Sequence, residues 1–132
     1  RLTILFPNQD VSHWETNDAS IVARLDYGES SFLLTGDAPV KTENILLKLD
    51  PKSVDTDVLK AGHHGSRTST SLPFTQAVSP DYAVISAGKD NTYGHPHKEV
   101  LDILQKAGAQ VVSTIDKGTI RFETDGQKLM LK

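Results

Sequence analysis

Apolar and polar residues alternate along this chain at two spacings, every second residue in some stretches and every third or fourth in others. Leu2-Thr-Ile-Leu-Phe6 predicts a short strand, stopped by Pro7-Asn8, and the polar, irregular run from Gln9 to Asp18 predicts a surface loop. Ser20 to Tyr27 alternates, Gly28-Glu29-Ser30 supplies a turn, and Ser31 to Thr35 is more continuously apolar. The two form a hairpin whose second strand is the more buried. Val40 to Leu49 has helical spacing, with Ile45, Leu46 and Leu49 as a buried stripe, and Asp50-Pro51 closes it. Strand and helix then repeat: Thr56 to Ala61, a helix over Leu72 to Val78, a strand over Asp81 to Ser86, and a helix over His97 to Ala107. In that last helix Val100, Leu101 and Leu104 face inward. Gln110 to Thr114, Gly118 to Glu123 and Lys128 to Leu131 read as closing strands, with an Asp125-Gly126 hairpin turn. Strand, helix and strand in this order predict crossover units and an α/β fold.

Composition narrows the chemistry. A chain of 132 residues, 37% hydrophobic and 23% charged, makes one domain that buries a core without staples. No apolar run approaches the length of a membrane span. Cysteine is absent, which removes disulfides, thiolate metal sites and a cysteine nucleophile, so any metal would need histidine and carboxylate ligands. A net charge of -3 argues against a broad electrostatic grip on nucleic acid, although a bound cation would still serve a phosphate substrate. The first residues lack a starter Met and any signal-peptide pattern, so the chain is expected to be cut from something longer.

Three predicted strands end in loops of Gly, His, Asp or Asn. After the first comes Thr35-Gly-Asp37-Ala38, whose carboxylate emerges at the sheet edge, caps the helix opened by Pro39, or does both. After the second comes Ala61-Gly-His-His-Gly-Ser66, with two adjacent imidazoles between glycines. On an extended backbone His63 and His64 would point to opposite sides unless the glycines turn the chain, making one a candidate metal ligand and the other a substrate contact. The plain alternative is a solvent-exposed turn that holds histidines. Ser66 and the hydroxyls after it would cap the next helix or touch a phosphate. After the third strand comes Gly88-Lys-Asp-Asn-Thr-Tyr-Gly-His-Pro96, in which Pro96 pins His95, while His97 reads as structural. His13 reads as an ordinary loop residue, and Arg67 and Lys89 as solvated cations that could also contact phosphate.

The order Leu33-Leu-Thr-Gly-Asp37, Leu59-Lys-Ala-Gly-His-His-Gly-Ser66, Ile85-Ser-Ala-Gly88 and Asn91-Thr-Tyr-Gly-His-Pro96 resembles the metallo-β-lactamase-like hydrolase domain of ComEC-type DNA-uptake proteins. The likeness runs from about Asn17 onward, and implies the C-terminal half of a four-layer αββα sandwich. It further implies that Asp37 bridges two divalent ions, zinc or manganese, and that His63 is the last histidine ligand, a choice between His63 and His64 made on register. His64, Ser66, Asn91 and His95 would line the substrate cleft, with His95 an acid or phosphate contact. The implied activity is hydrolysis of a phosphodiester, in DNA during uptake, by an extracytoplasmic domain of a bacterial inner-membrane protein. Cations there would activate water and neutralise phosphoryl oxygens.

The departure from that family is as informative. Its first metal motif, His-x-His-x-Asp-His, is absent, and no histidine precedes His13. Each ion needs about four to six ligands, more than Asp37 and His63 supply. The missing half would come from a longer chain or a second subunit. Otherwise the chain is a degenerate, non-catalytic module that docks a partner or nucleic acid, or a structural fragment with an exposed apolar sheet face and a tendency to form homo-oligomers.

Overall fold

A computed structural model describes residues 1–132. Six strands form one mixed sheet in the order of the chain: β1 (Leu2–Phe6), β2 (Val22–Tyr27), β3 (Ser30–Leu34), β4 (Val58–Lys60), β5 (Tyr82–Ile85) and β6 (Gln110–Ser113). The first three pair antiparallel, and β3 through β6 pair parallel. Each parallel step is bridged by a helix: α1 (Val40–Leu49), α2 (Leu72–Val78) and α3 (Lys98–Lys106). Consistent right-handed crossovers place all three helices on one sheet face. A further short helix, α4 (Thr114–Lys117), follows β6, and β7 (Phe122–Thr124) and β8 (Leu129–Leu131) form a separate antiparallel pair.

The core lies between the helices and the sheet. Leu33, Leu59, Ala83 and Ile85 from the central strands meet Leu46, Phe74, Val78, Val100 and Leu104 from the helices, all essentially out of solvent. Central parallel strands are covered by crossover helices, which is why Leu59 and Ala83 read as continuous apolar runs. The region predicted as a surface loop, Gln9 to Asp18, is only partly that: Val11 and Trp14 pack against the core, and Trp14 lies 5.8 Å from Phe6.

Two helix expectations change. Leu49 is exposed, and the inner face of α1 instead carries Leu46 with buried Thr42 and Glu43. Polar residues were thus placed inward by partners that the spacing does not reveal: Thr42 Oγ1 donates to Asp18 O at 2.9 Å. Nor does Asp37 cap α1, because Pro39 occupies the cap position and no side chain bonds there.

The opposite sheet face is different. Direct pairing sets Leu2, Leu25, Phe32, Val58 and Tyr82 in one row and Ile4, Ala23, Leu34, Lys60 and Val84 in the next. Phe122 of β7 covers part of it, with ring centroids 6.0 Å from Phe32 and 5.3 Å from Tyr82. Toward β1 nothing covers it, and Leu2, Ile4 and Leu34 are 62%, 54% and 46% exposed. No helix is long and apolar enough to cross a membrane.

Candidate active site

Three loops leave the carboxyl edge of the sheet side by side, after β3, β4 and β5. Because those strands are parallel neighbours, residues just past their ends converge where open α/β sheets bind ligands. Asp37, His63, His64 and His95 all lie in these loops, and the crossover order predicts that edge for Asp37 and His63.

The chain turns tightly over Gly62–Gly65, and both histidines adopt left-handed backbone angles, φ 47° at His63 and φ 57° at His64. Such angles cost a non-glycine residue about 1–3 kcal/mol and persist where surroundings enforce them. Here His63 N–H donates to Gly36 O at 3.1 Å, Ser66 N–H to His63 O at 2.9 Å, and Gly62 N–H to Thr70 Oγ1 at 3.1 Å. The flanking glycines are required for space as well. A Cβ on Gly65 would stand 2.7 Å from Pro96 Cβ, and one on Gly62 would stand 2.9 Å from Ser69 Cβ. Since the backbone is turned rather than extended, the two imidazoles share one loop cluster, with centroids 6.2 Å apart.

His64 faces the carboxylate: its Nε2 lies 3.5 Å from Asp37 Oδ1. Its Nδ1 lies 2.6 Å from Ser86 O, a carbonyl that can only accept, so Nδ1 carries the proton. In neutral His64 the Nε2 lone pair therefore confronts a carboxylate oxygen. Two electron-rich atoms held this close are favourable only with a cation between them, either a proton or a metal ion. A carbonyl behind the distal nitrogen is also how metal-ligating histidines are oriented. His63, by contrast, sets Nδ1 3.3 Å from Thr68 Oγ1 and its ring 5.6 Å from His95.

The remaining expected residues divide. His95 sits amid imidazoles, 4.9 Å from His97 by ring centroid, and burial together with His97, His63 and His64 holds its pKa below the ordinary imidazole range, against the pull of Asp37. Asn91 braces the loop rather than facing outward: Nδ2 donates to Gly88 O and His95 O, both at 2.7 Å, and Oδ1 accepts His95 N–H at 2.9 Å. Ser66 is buried, with Oγ 3.0 Å from Thr68 Oγ1, and neither it nor Ser71 caps α2 through its side chain. His97 ties the β4 and β5 loops together, accepting Arg67 N–H at Nδ1 (3.2 Å) and donating its own N–H to Gly65 O (2.9 Å).

Sequence reasoning missed three neighbours of this cluster. Lys60 of β4 sends Nζ to Gly36 O at 2.9 Å, and burial lowers its pKa while Asp37 opposes the shift. Its signal was a single cation in the otherwise apolar Val58 to Ala61. Glu43 of α1 is buried, accepting Thr70 N–H at Oε1 and Ser71 N–H at Oε2 (3.0 Å). Burial raises its pKa, and the two N–H donors offset part of that rise. Tyr93 stands 76% exposed beside a cavity of about 290 Å³, lined also by His64, Ser86, Gly88, Asn91 and His95. No signal beyond its place in the glycine-rich loop marked it.

A carboxylate oxygen and an imidazole nitrogen suit zinc or manganese alike, and Asp37 with His64 fits one corner of a coordination sphere. They do not complete it, for no group of three or more His, Asp or Glu side chains converges in ligand geometry.

Fold and site together define a mixed α/β unit with a histidine–aspartate cluster at the carboxyl edge of its parallel strands. No family model matches the chain. It is 42% identical over 106 residues, 80% of its length, to ComE operon protein 3 of Bacillus subtilis. It is 41% identical over 118 residues, 89% of its length, to Recombination protein 2 of Haemophilus influenzae, and 38% identical over 108 residues, 82% of its length, to Competence protein ComA of Neisseria gonorrhoeae. These relatives point to the competence, or DNA-uptake, family. The chain spans only 14% of the first two and 16% of the third.

Proposed function

We propose that this chain is the C-terminal half of a metallo-β-lactamase-like αββα hydrolase domain, and that the completed domain cleaves phosphodiester bonds in DNA during uptake. The observation that carries the reading is the opposed pair of Asp37 Oδ1 and His64 Nε2, 3.5 Å apart with the His64 proton committed to Ser86 O. That arrangement calls for a cation. The bare sheet face around Leu2, Ile4 and Leu34 supports the half-domain, since a second sheet packed there would form the inner layers of a sandwich. The likeness to the competence, or DNA-uptake, family supports DNA as substrate, and the ComEC-type resemblance implies an extracytoplasmic place in an inner-membrane protein.

In this reading Asp37 and His64 hold the metal from this chain's side, and the missing His-x-His-x-Asp-His segment supplies the rest. Divalent ions, when bound, would supply Lewis acidity toward water and the phosphoryl oxygens. Asp37 is positioned by Gly36, and His64 is oriented by Ser86 O. His63, expected as the ligand on register, stands second to His64 on geometry. His95 offers a hydrogen bond to a phosphate oxygen, and Lys60 places an ammonium beside Asp37 where negative charge collects.

The test restores the N-terminal segment and measures metal-dependent cleavage of DNA. Asp37→Ala and His64→Ala should each abolish it, and His63→Ala should leave more than either. Cleavage that survives both Asp37→Ala and His64→Ala would sink the assignment. A second reading, a non-catalytic module that docks a partner, draws on the lack of a converged three-ligand group. Elemental analysis separates the two: the restored protein should retain one or two ions per chain through dialysis, and none if it only docks.

A further inference from the structure

We propose that Tyr93 and the adjoining cavity form a stacking site for an unpaired nucleobase, so that the substrate is engaged as single-stranded DNA without regard to base sequence. The inference rests on the phosphodiester reading above and specifies how that substrate is held. Tyr93 is among the most exposed large side chains of the molecule, yet its position is not that of a stray surface residue. It lies nearly parallel to His95, with an interplanar angle of 20° and centroids 5.7 Å apart, and it lines the same cavity as His64. A flat ring presented this way, one face toward an imidazole and the other free, is what base stacking uses.

The loop is built to hold that ring still. Three side-chain hydrogen bonds from Asn91, to Gly88 and twice to His95, close the turn from which Tyr93 projects. The same bonds decide specificity. Asn91 is the one side-chain amide in the cavity and the natural reader of a base edge, but both of its N–H groups are consumed. Ser86 O is occupied by His64 Nδ1. Of the polar side-chain groups left, the Ser86 hydroxyl donates and accepts equally and so distinguishes no base, and the His95 imidazole is assigned to phosphate in the reading above. A base within a duplex keeps its faces stacked on its neighbours and cannot lie on Tyr93 without being extruded. A base stacked there would lie in the cavity that His64 and His95 also line.

The experiment is fluorescence anisotropy of this chain with short labelled oligonucleotides in the presence of a chelator, so that no cleavage intervenes. An oligothymidine should bind, and an abasic strand of the same length should bind about 5- to 150-fold more weakly, the range expected for one stacked base. Tyr93→Ala should impose a loss of that size on the oligothymidine and no further loss on the abasic strand, while Tyr93→Phe keeps wild-type binding. Because Tyr93 is exposed, neither variant threatens the fold. Equal binding of oligothymidine and abasic strand, an unaffected Tyr93→Ala, a blunt duplex bound as well as the single strand, or no binding of any probe would each overturn the proposal. Metal-dependent cleavage by the restored protein together with an unaffected Tyr93→Ala would overturn the stacking site alone. An intact stacking effect with no cleavage would overturn the hydrolase reading alone.

Discussion

Two residues show how local cost is set against local order. His63 at φ 47° makes only a 3.3 Å contact to Thr68, so its left-handed backbone is strain with little direct return. His63→Gly should raise the free energy of unfolding by roughly 0.5–1 kcal/mol, the strain relieved less the added freedom of glycine in the unfolded chain. His64→Gly should be close to neutral, because it also forfeits the hydrogen bond to Ser86 O, worth about 1 kcal/mol. Denaturant unfolding of the two variants checks the contrast, and a destabilised His63→Gly would contradict it. Glu43 gives a pH dependence. Its pKa is higher folded than unfolded, so its contribution to stability is fully present below the ordinary glutamate value of 4.5 and is lost as pH rises through the elevated folded value. Glu43→Gln cannot titrate, and it turns an amide N–H toward a backbone N–H at Thr70 or Ser71, at a cost of about 1–3 kcal/mol. The stability gap between wild type and Glu43→Gln should therefore be widest in acid and narrow toward neutral pH. A gap that widens with pH would contradict the assignment of burial as the dominant cause.

At the level of elements, the site is held by hydrogen bonds within and between its loops, with ties from the loop after β4 back to α1. Asn91 is the clearest case, and Asn91→Ala should speed hydrogen exchange at the His95 amide by roughly five- to tenfold, the loss of about 1 kcal/mol of closure, with β5 and α3 unchanged. Uniform acceleration across the whole molecule would instead mean that the loop is part of the global core. The same contrast explains what was legible beforehand. Strand and helix positions followed the spacing of apolar residues, so β1, α1 and α2 fall where that spacing puts them, and the order of the motifs put Asp37 and the histidine pair at one sheet edge. The turn at His63 and His64 was not legible, because left-handed angles at two non-glycine residues are imposed by Gly36, Thr70 and Pro96 from three other segments. Asn91 was expected only to line the substrate cleft, and its bracing of the loop shows only in its partners. The burial of Glu43 was hidden for the same reason, since its donors come from a loop 27 residues onward.

For the whole molecule, the decisive feature is asymmetry between the two faces of one sheet. The helical face is closed by α1, α2 and α3. The other carries Leu2, Ile4, Leu25 and Leu34 in register across β1, β2 and β3, and β7 with β8 shields only the far side. Contiguous apolar surface of this kind is covered in a working protein, by another layer of the same domain or by a second copy. On its own, then, the 132-residue chain should self-associate through this face as concentration rises, and sedimentation velocity should show it. The double variant Ile4→Thr with Leu34→Thr keeps strand propensity while removing apolar area, so it should be monomeric with a nearly unchanged melting temperature. On the half-domain reading proposed above, restoring the N-terminal segment should abolish self-association without either substitution, because the added layer would occupy the same face. If the restored protein still associates and the double variant does not prevent it, the contact lies elsewhere and the face is not where the missing half packs. A single chain that stays monomeric at every concentration would count equally against it, since in the proposed domain burial of these side chains would drive the second layer into place.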